Sequence, residues 1–360
     1  MATLRPANVR GWHGVLSARA ATGRARMSMA TKLVLSYVLI IAIATAAFSI
    51  AGTQLLGRVI TSEAETAVRN HLNAAREIVL GRLRQVNDVV RLTAGRFYLR
   101  EALSAGRIGQ AADELTRIRR SERLDILSVT DRSGRVLLRT SNPASSGDSR
   151  GQDELVATAA RRKEAVAAVA IMPAADLRKE SPLLAERAAI RFVDTPRARL
   201  RGETAETAGM LLQAAAPVMD GGGEVLGIVY GGILLNKNPE IVDKIKHTVF
   251  QNVVYKGKDI GTSTIFLDDV RISTNVLNLD GTRAIGTRGA EDVYNRVVVE
   301  GRPWIGRAFV VNDWYITAYE PIHSLTGRII GILYVGVLEQ KYVDMRRQTV
   351  AMLLSITFAV

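Results

Sequence analysis

The chain has 360 residues, of which 48% are hydrophobic and 23% are charged, and its formal net charge is +13. This composition is that of globular domains, and it excludes a chain that is disordered throughout. The chain contains no cysteine, which excludes disulfide bonds, thiol catalysis and cysteine metal sites.

The N-terminal region has the charge pattern of a membrane anchor. Residues 1–32 carry six basic residues and no acidic one, and the following 24 residues, Leu33–Leu56, carry no charge. A membrane-spanning helix needs about 20 apolar residues, and a basic flank marks the cytoplasmic side. The pattern predicts a cytoplasmic N-terminus (1–32) and a first transmembrane helix (33–56). A signal peptide cleaved at Ala44-Thr45-Ala46 is the alternative.

A long helix is predicted from Thr53 to about Leu103, so that residues 57–106 form one extracytoplasmic helix. At 1.5 Å per residue its roughly 50 residues are about 75 Å long, enough to run beside two small modules. Apolar residues recur along it at intervals of three and four, close to the heptad period. This stripe consists of Val68, Leu72, Ala75, Val79, Leu83, Val86 and Val90. We expect it to pack on the chain's own sheets; a homodimer seam over part of its length is the alternative.

Strand and turn patterns predict two mainly antiparallel α+β modules beside this helix. The distal module (107–235) has a hairpin at 125–141, a helix from Asp153, a strand that Pro173 ends, and a closing hairpin. A connector (236–260) contains a helix from Glu240 to Phe250. The proximal module (261–339) opens with a hairpin and ends with three strands.

The C-terminal region is predicted to return to the membrane. Residues 340–349 read as an exit helix, and residues 350–360 are apolar and uncharged. Eleven such residues are too few to span a bilayer, so they are predicted to begin a second transmembrane helix that the sequence does not complete. A buried terminal helix is the alternative. Residues 57–349 would then be periplasmic, on a protein of the inner membrane.

One segment of the chain occurs twice. Residues 217–234 (PVMDGGGEVLGIVYGGIL) align without gaps with residues 321–338 (PIHSLTGRIIGILYVGVL), and seven of the 18 positions are identical. Average composition gives about one identity. The repeat therefore predicts that one supersecondary unit occurs twice. Two unrelated hairpins of similar composition are the alternative.

Several phrases of the proximal module resemble a known family. GTSTIF, TNVLNLDGTRAIGTR, RPWIGRAFVVNDWYITAYEPI and GRIIGILYVGV look like the membrane-proximal half of double Cache sensor domains, in particular the fused double Cache subtype. These are extracytoplasmic sensor regions of bacterial chemoreceptors and sensor histidine kinases. The resemblance implies two tandem PAS-like modules, each an antiparallel sheet with flanking helices, and a ligand held between sheet and loops.

No motif of an enzyme occurs in the chain: it lacks a Walker loop, a G-x-S-x-G elbow and an H-E-x-x-H helix. The four histidines (one of them His13) are far apart in sequence. We therefore predict no catalytic residues, no metal and no cofactor. The basic excess has a topological cause and no basic–aromatic motif accompanies it, so nucleic acid is not an expected partner.

Polar and aromatic residues on apolar strands are the candidate ligand site, because small ligands bind where a few donors meet in an aromatic cavity. Arginine is the natural donor for a carboxylate. The candidates in the proximal module are Asn275, Arg288, Trp304, Arg307, Tyr315, Tyr319 and Tyr334, and the corresponding candidates in the distal module are Arg139, Gln213 and Tyr230. The alternative is that these aromatic residues are core and these arginines face solvent.

These features together predict the sensing region of a bacterial transmembrane receptor that is not itself an enzyme. It would bind a small organic solute such as an anion, form a homodimer and pass a conformational change across the membrane. The alternative is an anchored structural protein whose modules bind a protein partner. An extracytoplasmic hydrolase is disfavoured, because no nucleophile and base are evident.

Overall fold

The computed structural model describes residues 28–359. Its larger compact unit is Leu55–Met352, and the other described residues, 28–54 and 353–359, belong to a second, smaller unit. The predicted cytoplasmic segment 1–32 lies almost entirely outside the described residues, as does His13.

The first helix, α1, spans Met29–Ala94, and its 66 residues are about 100 Å long. Among the described residues, it is the one helix that is long and apolar enough to cross a membrane. The predicted long helix is confirmed, but its predicted end near Leu103 is wrong. The backbone of Arg96 is extended (φ −73°, ψ 134°), so α1 ends before it and a separate helix, α2, spans Phe97–Ser104.

The apolar stripe of α1 packs against the chain's own sheets, as predicted. Six of its seven residues are buried, and Leu83 is partly buried against the same core. That core also contains Val229 of the distal module and Val335 of the proximal module. The long helix therefore contributes one continuous apolar face to both modules.

The distal module contains two hairpins and several short helices. Its elements are a 3₁₀ turn Ile108–Ala111, α3 Ala112–Ser121, β1 Ile126–Asp131, β2 Val136–Arg139, α4 Glu154–Arg162, β3 Val166–Met172, α5 Ala174–Glu180, α6 Pro182–Ala188, β4 Ile190–Arg191, β5 Ala205–Glu206, β6 Gly209–Met219 and β7 Val225–Leu234. Asp153 caps α4, because its carboxylate accepts hydrogen bonds from the amides of Leu155 and Val156.

The proximal module follows a connecting helix. The elements are α7 Glu240–Phe250, β8 Val254–Tyr255, β9 Lys258–Asp259, β10 Gly261–Leu267, β11 Val270–Thr274, α8 Glu291–Tyr294 with a π turn Asn295–Val299, β12 Trp304–Val310, β13 Asp313–His323, β14 Ile329–Leu338 and α9 Glu339–Ala359. Strand β14 continues into α9 without a linking residue.

The two modules have the same sheet topology. The five-stranded sheets are ordered β2-β1-β7-β6-β3 and β11-β10-β14-β13-β12, and their strands pair antiparallel. In each module the opening hairpin pairs with the last strand. The predicted fold class, two PAS-like α+β modules along one long helix, is confirmed.

The sequence repeat corresponds to one hairpin that occurs twice with the same register. Pro217 pairs with Ile228 in β6 and β7, and Pro321 pairs with Ile332 in β13 and β14. Both hairpins also have their register shift at the same place, directly after Val218 and directly after the corresponding Ile322 in the second copy. The repeat is therefore a structural one.

Glycines of the repeat are required by close backbone approaches. A Cβ on Gly227 would collide with the carbonyl oxygen of Thr130, and a Cβ on Gly331 would collide with that of Phe266. Each glycine thus allows the last strand of its module to lie close to the opening strand. The same packing requirement explains one pair of identities between the two copies.

A segment of the distal module covers part of the proximal module. Residues 190–206, which we call the strap, run from β4 to β5 and contact the loop that precedes α8. The Val193 amide donates to the Gly286 carbonyl (2.9 Å), and the Glu291 amide donates to the Arg197 carbonyl (2.8 Å). The strap therefore belongs to one module in sequence and to both in space.

Candidate ligand-binding site

Aromatic side chains of the proximal module lie in one row across a face of the sheet. Trp304 pairs with Tyr319, Tyr319 with Tyr334, and Tyr334 with Thr264. Because side chains alternate along a strand, Tyr315 lies on this same face. The ring centroids of Tyr319 and Tyr334 are 4.7 Å apart.

Arg271 on β11 is the buried cation of this face. Its side chain is buried, its guanidinium lies 4.9 Å above the Phe266 ring, and Nη1 donates to Thr287 Oγ1 (2.6 Å). Its Nε has no hydrogen-bond partner among the described residues, and no described carboxylate lies within ion-pair distance. Burial lowers the pKa of Arg271. Burying a guanidinium without an acidic partner costs free energy, so a bound anion would stabilise Arg271 at this position.

Phenol groups surround this guanidinium in their neutral form. Burial raises the pKa of Tyr334 to about 12, although a hydrogen bond with Thr262 opposes the shift. Burial likewise raises the pKa of Tyr319 and of Tyr315, and neighbouring Tyr334 adds to both shifts. These phenol groups are therefore protonated at neutral pH, and the Tyr334 hydroxyl shares a hydrogen bond with Thr262 Oγ1 (2.9 Å).

A cavity of about 380 Å³ opens beside Arg271. Tyr319 and Trp304 line it from the sheet, and Thr195, Pro196 and Arg197 of the strap line it from the other side. The indole nitrogen of Trp304 is buried and has no hydrogen-bond partner among the described residues. The volume suits a small molecule, and its wall combines an apolar surface with unpaired donors.

An ionic cluster fixes the strap at the mouth of the cavity. Asp269 is fully buried and accepts hydrogen bonds from Arg288 (2.6 and 3.1 Å), Arg201 (2.9 Å) and Arg199 (3.2 Å). The Arg288 amide also donates to Thr195 Oγ1 (3.0 Å). Two arginines from the strap and one from the proximal loop thus share the Asp269 carboxylate, and the two strap arginines, Arg199 and Arg201, also pair with Asp268.

The predicted proximal residues do not all reach the cavity. Trp304, Tyr319 and Arg288 line it, but the guanidinium of Arg288 is engaged by Asp269. Arg307 borders it from the edge strand, yet its side chain stacks on Trp314 (3.7 Å) and its Nε donates to Glu339 (2.7 Å).

Two of the remaining candidates lie deeper in the sheet, and one lies elsewhere. Tyr315 and Tyr334 are buried on the cavity side of the sheet. Asn275 is buried away from the cavity, where its Oδ1 accepts from the Ser263 amide (2.7 Å).

The predicted distal residues lie on the corresponding face of their own sheet. Arg139 and Tyr230 both donate to Glu180, at 2.9 and 2.6 Å. Gln213 Nε2 lies 3.5 Å from Asp153 Oδ1. The sequence predictions did not include Arg271 or Glu180. Arg271 stands between two apolar strand residues, and Glu180 lies in a charged, alanine-rich stretch, so neither carries a distinctive local signal.

A family model identifies the proximal part of the chain. Residues 233–349 match the family model Single cache domain 3, so this part of the chain is similar to that family. Cache domains are extracytoplasmic sensor modules that bind ligands. The resemblance predicted from the proximal phrases is confirmed. No curated protein matches the chain at a significant level.

Remote similarity to solved structures extends over most of the chain. The periplasmic domain of LuxQ from Vibrio cholerae is 12% identical, with 77% of this chain and 99% of that chain covered and a TM-score of 0.40. The DctB histidine kinase sensor domain from V. cholerae is 12% identical, with 77% and 98% covered and a TM-score of 0.43. The ligand-binding domain of the Pseudomonas aeruginosa chemoreceptor PctB, in complex with L-Arg, is 12% identical, with 78% and 96% covered and a TM-score of 0.39.

Proposed function

We propose that the chain is the sensing region of a bacterial transmembrane receptor and binds a small organic anion in the cavity of its proximal module. The observation that carries the proposal is Arg271, a buried guanidinium that faces the cavity without a carboxylate partner among the described residues. A carboxylate of the ligand would complete this ion pair, and the planar fork of arginine suits both of its oxygens.

In this proposal the other predicted residues have different roles. Trp304 and Tyr319 contact the ligand directly, since they line the cavity. Arg288 positions the strap through Asp269. Arg307 links the edge strand to the first residue of α9 through Glu339. None of these groups is assigned a catalytic role.

The connection to the membrane is proposed to run through the last strand. Leu338 ends β14 and Glu339 begins α9, so a displacement of the strand moves the helix directly. Binding that favours one of two positions of β14 would shift their populations. We retain the proposed layout of distal module 107–235, connector 236–260, proximal module 261–339 and exit helix 340–349, with residues 57–349 outside the cytoplasm.

Calorimetry on the reconstituted chain with a panel of small carboxylates tests the site. We expect Arg271→Gln to weaken binding by at least about tenfold, the equivalent of one charge-assisted hydrogen bond. Arg283→Gln is the matched control, because Arg283 pairs with Asp243 of α7 and lies outside the cavity. Equal affinity for the carboxylate in the Arg271→Gln variant and the wild type would contradict the assignment of the binding site to this cavity.

Two further substitutions separate contact residues from positioning residues. Arg288→Ala should weaken binding through the strap and also raise hydrogen exchange there. Arg307→Ala should leave affinity unchanged and alter only the response across the membrane.

Protease accessibility of Asp153 and Glu291 from the periplasmic side checks the topology, and cleavage from the cytoplasmic side alone would contradict it.

The alternative of a protein-binding structural module predicts no internal cavity, and the cavity beside Arg271 favours the sensor.

The homodimer stays a prediction. Because the apolar stripe of α1 is used within the chain, a dimer contact would involve the opposite, exposed face of that helix, which includes Asn73 and Glu77. Disulfide crosslinking of Asn73→Cys in membranes tests this, and its absence would argue against a contact there.

A further inference from the structure

A short hairpin between the connecting helix and the proximal sheet leaves apolar side chains exposed. Its strands β8 and β9 are joined by the turn Lys256-Gly257, whose φ angles are both positive (50° and 78°). This is the geometry of a tight two-residue turn. Val253 and Val254, at the start of the hairpin, are 46% and 57% exposed. The hairpin therefore presents a small apolar surface to its surroundings.

The tip of this hairpin is bonded to α9. Tyr255 Oη donates to Asp344 Oδ2 (2.9 Å), and Lys256 Nζ donates to the same oxygen (2.5 Å). Gln340 Nε2 donates to the other oxygen of this carboxylate (2.8 Å). The Asp344 carboxylate thus fixes the level of the hairpin along the helix.

This level is close to the uncharged runs that are predicted to enter the membrane. Asp344 precedes Val350, where the run of α9 begins, by six residues (350 − 344 = 6), or about 9 Å of helix. Arg346 Cδ lies 3.8 Å from the position of a Cβ on Gly57, the residue that directly follows the run of α1. The headgroup layer on each side of a bilayer is roughly 5–8 Å thick. With both runs in a bilayer, the tip of the hairpin lies at the headgroups.

Basic side chains surround the tip. Arg58, Arg346 and Arg347 are exposed, and none of the three has an ion-pair partner among the described residues. The hydrogen bond to Asp344 raises the pKa of Lys256, and the positive charge of nearby Arg347 opposes that rise. Exposed cations beside exposed apolar side chains match the charge and polarity of an anionic bilayer surface.

We propose that the β8–β9 hairpin, together with Arg346 and Arg347, binds the headgroups of anionic phospholipids in the membrane that anchors the chain. The valines enter the interfacial layer, and the cations contact the lipid phosphates. This proposal rests on the membrane anchoring proposed above, but it needs no ligand in the proximal cavity. Because the hairpin is bonded to α9, bound lipid also restrains the helix that continues β14.

Hydrogen exchange with mass spectrometry on the full chain in nanodiscs tests the proposal. One set of nanodiscs contains phosphatidylcholine alone, and the other contains phosphatidylcholine mixed with phosphatidylglycerol. Each basic group near an anionic surface changes the binding equilibrium by about fivefold. We therefore expect amides of residues 253–259 to exchange at least about fivefold more slowly with phosphatidylglycerol. Equal exchange in the two lipids would overturn the proposal.

Charge substitutions make the result specific to this surface. The combination of Lys256→Gln, Arg346→Gln and Arg347→Gln should abolish the difference between the two lipids, and a difference of unchanged size would overturn the proposal. The matched control should keep the difference, because it removes the same charge from exposed residues of the distal module, Arg120→Gln, Arg132→Gln and Arg178→Gln.

Inorganic phosphate distinguishes the lipid from a free anion. Phosphate added to the phosphatidylcholine nanodiscs should leave exchange of residues 253–259 unchanged. If phosphate alone slowed exchange as much as phosphatidylglycerol does, the surface would be a site for free phosphate and the lipid proposal would be wrong.

A depth measurement separates failure of this proposal from failure of the anchoring. Because the chain has no cysteine, a nitroxide attached to one introduced cysteine reports depth through its collisions with oxygen and with a water-soluble nickel complex. We expect a label at Val253→Cys at headgroup depth, one at Val38→Cys in the hydrocarbon core, and one at the exposed Leu183→Cys in water. A Val38 label in the core with a Val253 label in water would overturn the hairpin contact alone. Labels in water at both positions would overturn the anchoring and this proposal with it.

Discussion

Tyr230 and Tyr334 occupy the same position in the two sheets, 104 residues apart (334 − 230 = 104), but their hydroxyl groups have different partners. Tyr230 donates to the carboxylate of Glu180, whereas Tyr334 shares a hydrogen bond with Thr262. The two modules thus share a backbone framework but differ in what their inner faces hold.

The glycines of the repeat provide a stability test of the shared framework. We expect Gly227→Ala and Gly331→Ala each to lower the free energy of unfolding by about 1–3 kcal/mol, because an added methyl group collides with a strand carbonyl. Denaturant titration followed by circular dichroism measures the change. Gly221→Ala is the matched control, since a Cβ there meets no atom within 4 Å. Comparable losses at all three positions would contradict the explanation.

The long helix is tied to the proximal sheet by Arg76 and Glu320. Arg76 Nε donates to both carboxylate oxygens of Glu320, at 2.8 and 2.9 Å, and the Glu320 side chain is 10% exposed. We expect Arg76→Ala to lower the free energy of unfolding by about 1–3 kcal/mol, because it leaves a mostly buried carboxylate unpaired. Thermal unfolding measures this.

Arg84→Ala on the same helix is the control for that substitution. Its partner Glu77 is exposed, so its loss should cost less than about 0.5 kcal/mol. Equal losses of unfolding free energy in Arg76→Ala and Arg84→Ala would show that the Arg76–Glu320 pair contributes no more stability than an exposed pair.

The strap depends on the carboxylate of Asp269. In Asp269→Asn, the charge of the carboxylate that Arg199, Arg201 and Arg288 share is lost, and only Arg199 and Arg201 keep an acidic partner, Asp268. We expect amides of residues 192–204 to exchange hydrogen at least about tenfold faster, since local opening becomes easier. Hydrogen exchange with mass spectrometry measures this, with Asp280→Asn in an exposed turn as the control. Unchanged exchange in the strap would refute its attachment through Asp269.

Acid should destabilise the distal module through Asp148. Hydrogen bonds from Arg139, with a further contribution from Lys179, hold the pKa of Asp148 well below its usual range. A lowered pKa in the folded state contributes stability that is present above the unfolded pKa, about 4, and is lost as the pH falls below it.

Thermal unfolding measured between about pH 7 and pH 2 tests this effect. Asp148→Asn should be less stable than the wild type at neutral pH, and the difference should shrink as the solution becomes acidic. Asp113→Asn on α3 is the exposed control. A difference that stays constant across this range would contradict the assignment.

The framework was predictable because its signals are local and repeated. Alternation and turn residues located the strands, and the gapless repeat of 217–234 in 321–338 predicted the duplicated hairpin. The break between α1 and α2 was missed, because Gly95 resembles the other helix glycines and the extended backbone of Arg96 has no sequence signal.

The site was less predictable, because it depends on long-range partners. Arg288 and Arg307 were the predicted carboxylate donors, but each is paired with an acid distant in sequence or in another element, Asp269 and Glu339. Arg271 is distinguished by the absence of a carboxylate near it among the described residues. This absence is evident only in the folded structure, because the neighbours of Arg271 come from distant parts of the sequence. The strap's role at the cavity is likewise a tertiary relationship.

The strap also limits how this protein can be recombined with others. Thr195 and its neighbours in the strap line one side of the cavity. Arg271 lines the same cavity from a strand that follows more than 70 residues later in the chain (271 − 195 = 76). A chimera joined within the connector would contain the proximal module without the strap that lines its cavity. A working graft therefore has to keep the strap and the proximal module together, and both lie within the compact unit Leu55–Met352.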